Sequence, residues 1–196
     1  MYVWLARVAV AFLGEGQHLS LQWPTAAGMR RLCLGWLIAI ACTAGVAAAA
    51  TSSYGLLGHE APDFALHAVV GGNVRLSEHR GDVIVLSFWG SRCTPCKAQL
   101  AALDKSFGTY RSAGLQIYGI NVDDDQTRAL EFAHARSVAF ALLLDPGKDV
   151  SRSYEVDNLP MTVMIDRNGI VRHVMRDYSA KDQETYLRQL RELLNE

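Results

Sequence analysis

The sequence predicts a mixed α/β sheet with helices on both faces, and three observations point there. Two continuous apolar runs, VIVLSFW at residues 83–89 and LQIYGINV at 115–122, mark central strands buried on both sides. Segments of helical periodicity alternate with the extended runs from residue 60 onward, the order that layers helices over a sheet. Near the end, Asn168-Gly169 separates two further extended runs and signals a β-hairpin.

Taken in order, residues 64–69 and 73–76 are short extended runs around Gly71-Gly72, a first hairpin. The strand at 83–89 is followed by a helix over 94–111, with Leu100, Leu103 and Phe107 on one side. Gly114 ends that region and the second buried strand follows at 115–122. A helix over 126–136 turns Leu130 and Ala133 inward. Residues 141–144 are extended, Asp145-Pro146-Gly147 is a turn, and 148–154 form a short helix. Strands at 161–166 and 170–175 flank the Asn168-Gly169 turn. Ser179 caps a last helix whose Tyr186, Leu187, Leu190 and Leu194 form an apolar stripe.

The first fifty residues read as a leader. Residues 32–50 form an uncharged stretch, LCLGWLIAIACTAGVAAAA, directly after Met29-Arg30-Arg31. A basic start, an apolar middle and an Ala-rich end are the pattern of a secretory signal, with Ala48-Ala49-Ala50 as the cleavage site. The same stretch is long enough to remain as a membrane anchor. Cys42 follows Ala39-Ile40-Ala41, a poor lipidation signal. Residues 1–28 precede the basic start and read as an over-extended start or a cytosolic tail. The expected organisation is therefore 1–28 tail, 29–50 signal or anchor, 51–59 linker and 60–196 one folded domain.

Composition narrows the function. The net charge is −1, with no basic field to attract nucleic acid. Four cysteines in 196 residues exclude a disulfide-dense scaffold. Cys33 and Cys42 lie in the leader, so the exported domain keeps one pair, Cys93-Thr94-Pro95-Cys96. Two cysteines three apart at a helix start can close a disulfide and reopen it. Cys93 falls at the helix N-terminus, where free N–H groups and the dipole favour a thiolate, and reads as the attacking nucleophile. Cys96 lies one turn in and reads as the resolving thiol. Pro95 sits in the first turn, where a missing N–H costs little. A zinc site needs about four ligands, and no second cysteine pair or metal-spaced histidine accompanies this one.

At this point the chain resembles the thioredoxin fold, in its TlpA-like and ResA-like extracytoplasmic branch. The resemblance rests on Ala61-Pro62-Asp63-Phe64, the Leu76 to Gly81 lead-in, Phe88-Trp89-Gly90, Cys93-Thr94-Pro95-Cys96-Lys97 and Leu159-Pro160-Met161-Thr162 through Asn168-Gly169. It implies a thioredoxin-like three-layer sandwich with an added N-terminal β-hairpin and a central insertion. It also implies a Cys93–Cys96 redox disulfide, no cofactor and no metal. The implied partners are protein thiols and disulfides, apocytochrome c among them, and a membrane redox partner, in a periplasmic or otherwise extracytoplasmic setting. Pro160 matches the family's cis-proline, which faces the cysteine pair and leaves the backbone of Leu159 to pair with a substrate chain. Trp89 matches an aromatic beneath the active site.

Three positions depart from the family pattern. Arg92 stands where a Trp usually precedes the first cysteine, and as a cation it would lower the Cys93 pKa. Gln99 replaces a frequent Glu, and Ser87 replaces thioredoxin's buried Asp, so neither usual proton-handling carboxylate is present. Peroxiredoxins, which share the fold, place a Thr three residues before the reactive cysteine, and Gly90 stands there for Cys93. A copper chaperone of the Sco type needs cysteines four apart, not three. Asp123-Asp124-Asp125 reads as a solvated turn and helix start, and His134 as an exposed helix residue.

Overall fold

Alternation along the strand Val83–Trp89 divides the core in two. In the computed structural model, which describes residues 55–196, every residue of this strand is buried. Val83, Val85 and Trp89 join one apolar cluster, and Ile84, Leu86 and Phe88 join another on the opposite side. Successive side chains of a strand point to opposite faces, so one sequence run supplies both clusters.

Among the described residues seven strands form one sheet: β1 (Ala65–Ala68), β2 (Asn73–Arg75), β3 (Val83–Trp89), β4 (Leu115–Asn121), β5 (Ala141–Leu144), β6 (Met161–Ile165) and β7 (Val171–Arg176). Their order across the sheet is β2-β1-β5-β4-β3-β6-β7. The centre is β4-β3-β6-β7, with β3 parallel to β4 and antiparallel to β6. β5 adds to β4 in parallel, and the N-terminal hairpin docks on β5 through β1. The central insertion, the segment that follows β4 and ends in β5, thus supplies the strand on which the hairpin rests.

Among the described residues four helices cover the sheet: α1 (Thr94–Tyr110), α2 (Gln126–Ala135), α3 (Asp149–Ser153) and α4 (Gln183–Leu194). Leu100 and Leu103 of α1, Ala133 of α2, and Leu190 and Leu193 of α4 pack on the Val83/Val85/Trp89 side. Val150 and Tyr154, at α3 and its end, pack on the other side with Leu56, Phe64 and Leu76. The layering and element order agree with the sequence reading.

The structure differs from that reading in detail. In α2 the buried residues are Ala129 and Ala133, one helical turn apart, and Leu130 is only half-buried beside them. In α4 Leu193 is buried where Leu187 was expected in the stripe. Ser179 caps a short 3-10 turn, Ala180–Asp182, by accepting from the Lys181 N–H, and α4 starts after it. The segment expected as linker is part of the domain from residue 55 on. Gly58 donates to the Val171 carbonyl at 2.8 Å, the Val171 N–H donates to His59 at 2.9 Å, and Leu56 is buried. The predicted leader, with Cys33 and Cys42, lies outside the described residues. Among the described residues no helix is long and apolar enough to cross a membrane.

Candidate active site

The site is built where β3 ends and α1 begins. After Trp89, the chain turns through Gly90, Ser91 and Arg92, and the Cys93 N–H closes the turn on the Gly90 carbonyl at 3.0 Å. Cys93 has extended backbone and caps α1, with Pro95 in the first helical turn. Its sulfur accepts from the Cys96 N–H at 3.1 Å. Cys93 and Cys96 are joined as a disulfide, their Cα atoms 5.3 Å apart. Cys96 is fully buried and Cys93 is half-buried, so one sulfur of the pair faces the surface. A helix N-terminus with an N–H already directed at Cys93 Sγ stabilises negative charge on that sulfur.

The loop before β6 brings Leu159 and Pro160 alongside, joined by a cis peptide bond. Phe88 pairs with Met161 across the sheet, which sets Leu159 against the turn after β3. A Cβ at Gly90 would lie 3.3 Å from Leu159 Cδ1 and 3.1 Å from Asp123 Oδ1. The turn therefore passes between the Leu159 loop and the segment after β4 with room for little beyond glycine.

Trp89 is buried beneath the site, its ring 4.7 Å from that of Phe132 on α2. Lys97 lies 5.8 Å and Arg136 5.3 Å from the Phe132 ring centroid, so two cations flank the aromatic that pins α2 to the start of α1. The Trp89 indole N–H finds no acceptor among the described residues. Arg92 is exposed and borders a small cleft with Ser91, Arg128 and the three aspartates 123–125. His134 is exposed on α2.

Behind Cys96, three buried polar side chains stand where a carboxylate was absent. Ser87 donates to Gln99 Oε1 at 2.9 Å, and Gln99 Nε2 donates to Thr162 Oγ1 at 2.7 Å. Ser87 and Thr162 face each other across the β3–β6 ladder, and Gln99 reaches down from α1 between them. A neutral amide, with a donor and an acceptor, links two hydroxyls and leaves no buried charge there.

The aspartate run is not a uniform solvated turn. Asp125 caps α2 by accepting from the Thr127 N–H and pairs with Arg128 at 3.2 Å. Asp124 pairs with Lys148 at 2.6 Å. Asp123 is half-buried and its Oδ2 accepts from the Ser91 N–H at 2.8 Å, two residues before Cys93. Sequence reasoning missed this contact, Thr162 and Phe132. A trace of the first was present in Asn121-Val122-Asp123, because an Asn that accepts from the N–H two residues on is a local turn signature.

Comparison with known proteins places this geometry. Residues 57–174 match the AhpC/TSA family. The thiol-disulfide oxidoreductase ResA of Geobacillus kaustophilus is 32% identical over 126 residues, which span 64% of this chain and 72% of the relative. A Chlorobium tepidum crystal structure, described as a thiol:disulfide interchange protein DsbE, superposes with TM-score 0.68 at 32% identity, over 70% of this chain and 97% of that one. A solution structure from Bacteroides thetaiotaomicron, described as a protein disulfide isomerase, gives TM-score 0.66 at 30% identity, over 71% and 91%. With a cysteine pair at the strand-to-helix turn of this sheet, the chain belongs to the AhpC/TSA family and is a thiol–disulfide oxidoreductase of thioredoxin fold.

Proposed function

We propose that the protein reduces disulfides in other proteins outside the cytoplasm, with Cys93 attacking and Cys96 resolving. The observation that carries the reading is the asymmetry of the pair: Cys93 is half-buried and its Sγ receives the Cys96 N–H, while Cys96 is fully covered. In the reduced protein the Cys93 thiolate attacks a partner disulfide. A mixed disulfide forms and one partner sulfur leaves as a thiolate. Cys96 then gives its proton to water and attacks Cys93 Sγ, which releases the second partner thiolate and returns the Cys93–Cys96 disulfide. Two electrons pass from the pair to the partner.

The other residues serve this exchange. Leu159 offers backbone to an extended partner segment, Pro160 holds that backbone beside the sulfurs, and Pro95 and Trp89 fix the helix start from above and below. Arg92 supplies a cation at the rim. The basic and apolar leader at residues 29–50 supports export, either as a cleaved signal or as an anchor. Cysteine-bearing proteins that must stay reduced after export, apocytochrome c among them, are the substrate class, and a membrane thiol carrier returns electrons to the pair.

The test is trapping. Cys96→Ser should accumulate a mixed disulfide through Cys93, and Cys93→Ser should abolish exchange with insulin. Preferential alkylation of Cys96 in the reduced protein would reverse the roles. A glutathione titration gives the direction: a potential near about −270 mV fits a reductase, and one near about −120 mV an oxidant.

A further inference from the structure

We propose that Asp123 is a positioning residue of the redox loop that holds the Cys93–Cys96 couple toward its reducing end. The inference rests on the exchange reaction assigned above to this pair.

The three consecutive aspartates are bound in different ways. Asp124 and Asp125 are exposed and neutralised by Lys148 and Arg128. Asp123 forms no ion pair among the described residues. Its Oδ2 accepts from the Ser91 N–H at 2.8 Å and from Asn121 Nδ2 at 2.9 Å, and its own N–H donates to Asn121 Oδ1 at 3.0 Å. Asn121 is buried at the end of β4, so the carboxylate is held from below by a fixed amide. Its Oδ1 faces Gly90, and the turn it grips closes through Cys93 N–H to Gly90 O. The carboxylate is thus fastened to the first half of the same turn whose last residue is the nucleophile.

The charged groups around this turn come from four elements. Arg92 is on the turn and exposed; Arg128 on α2 is taken by Asp125; Lys148, before α3, is taken by Asp124; Lys97 on α1 lies against the Phe132 ring. The charge fixed to the turn by hydrogen bonds is therefore negative. Its effect differs between the two redox states. The disulfide is neutral, whereas the dithiol carries a thiolate on Cys93, and a nearby like charge disfavours that thiolate. Asp123 consequently destabilises the reduced pair relative to the disulfide, which makes the pair the stronger electron donor. Its grip on the Ser91 N–H keeps the charge at a constant distance.

The experiment is a glutathione equilibrium on the full chain carrying Cys33→Ser and Cys42→Ser throughout, so that Cys93 and Cys96 are its only cysteines. Two glutathione thiols reduce the Cys93–Cys96 disulfide to the dithiol and become glutathione disulfide, so the measured constant reads the two-electron balance. Reversible equilibration of the wild type comes first; its failure would sink the redox reading itself, and the role of Asp123 with it. Asp123→Asn keeps an oxygen for the Ser91 N–H and removes the charge. It should shift the constant about threefold toward the dithiol, equivalent to about 14 mV in the less negative direction. In the Cys96→Ser background it should lower the Cys93 pKa by about half a unit. Asp123→Ser, smaller than the native residue and still an acceptor, should shift both readings the same way and covers the case in which the Asn variant does not fold. Asp124→Asn, an equal change of charge on an exposed and paired aspartate, should shift them less. Wild-type values in both neutral Asp123 variants, or an Asp124→Asn shift as large as that of Asp123→Asn, would overturn the proposal.

Discussion

Gln99 Nε2 lies 2.7 Å from Thr162 Oγ1, and this bond ties the redox helix to the strand that follows Pro160. With Ser87 on its other side, Gln99 is the single link between two hydroxyls that have no exposure to solvent. Replacing it with Leu would leave both hydroxyls buried without that partner. Each stranded buried polar group costs about 1–3 kcal/mol, so Gln99→Leu should lose about 2–4 kcal/mol in urea unfolding. Gln99→Glu should instead make stability pH-dependent. A buried carboxyl has its pKa raised, so this variant should be close to wild type near pH 4 and fall behind as pH rises above the ordinary Glu value.

Gly169 has φ +83°, and a Cβ there would occupy the space of the Arg80 guanidinium. Arg80 pairs with Glu60 and donates to the Asn168 carbonyl at 3.1 Å. Gly169→Ala should cost about 2–3 kcal/mol, of which about 1–2 is left-handed backbone strain. Adding Arg80→Ala should recover the crowding part and leave the strain. Denaturant midpoints of the two single variants and the double variant check this; full recovery would mean the backbone at 169 tolerates alanine.

Arg92→Trp removes the cation next to Cys93. An exposed guanidinium favours a neighbouring thiolate only weakly in salt, so the Cys93 pKa should rise by less than about one unit. The disulfide should become slightly more reducing. Thiolate absorbance against pH in the Cys96→Ser background is the measurement, and an unchanged or lower pKa would show that Arg92 acts on solvent alone.

Stability should decline in two stages as the solution is acidified. Burial, with Arg172 adding to it, holds the His173 pKa below its ordinary value. The unfolded chain therefore takes up a proton near pH 6.5 before the folded protein does, and stability falls from that point until the folded His173 is itself protonated. For Asp63 and Asp166 burial works toward a higher pKa. Hydrogen bonds from Ser77 in one case, and from Ile170, Arg172 and Asn168 in the other, outweigh it and hold both carboxyls below the usual range. Their stabilisation is complete above about pH 4 and is lost as pH falls further. Urea unfolding from pH 8 to pH 3 should show both stages, and His173→Gln should erase the upper one.

The order of elements was readable because β3 and β4 are buried on both faces and leave unbroken apolar runs, and because Asn168-Gly169 punctuates the last hairpin. The helix faces were read less well. Ala129 packs fully while Leu130 stays half-exposed, since Ala129 lies one turn before Ala133 on the covered side of α2 and Leu130 falls at the margin of that side. The cysteine pair and its helix start were legible from local spacing. The polar link Ser87–Gln99–Thr162 was not, because it joins three elements and depends on the register that sets Ser87 opposite Thr162. Asp123 was hidden among identical neighbours, and only the backbone of a distant turn distinguishes it from Asp124 and Asp125.

The docking of β1 on β5 also governs the order in which the molecule can assemble. Ala68 lies opposite Leu143, and β3 and β4, two of the four central strands, are encoded between them. A chain emerging N-terminus first, from a ribosome or through a membrane pore, presents its hairpin long before the strand that will hold it exists. Two short strands alone are marginal in water. The hairpin must therefore wait, and the sheet closes at that edge only after the insertion has joined β4. Shortening the insertion would remove the landing strand and leave β1 an open edge, inviting pairing between chains during synthesis.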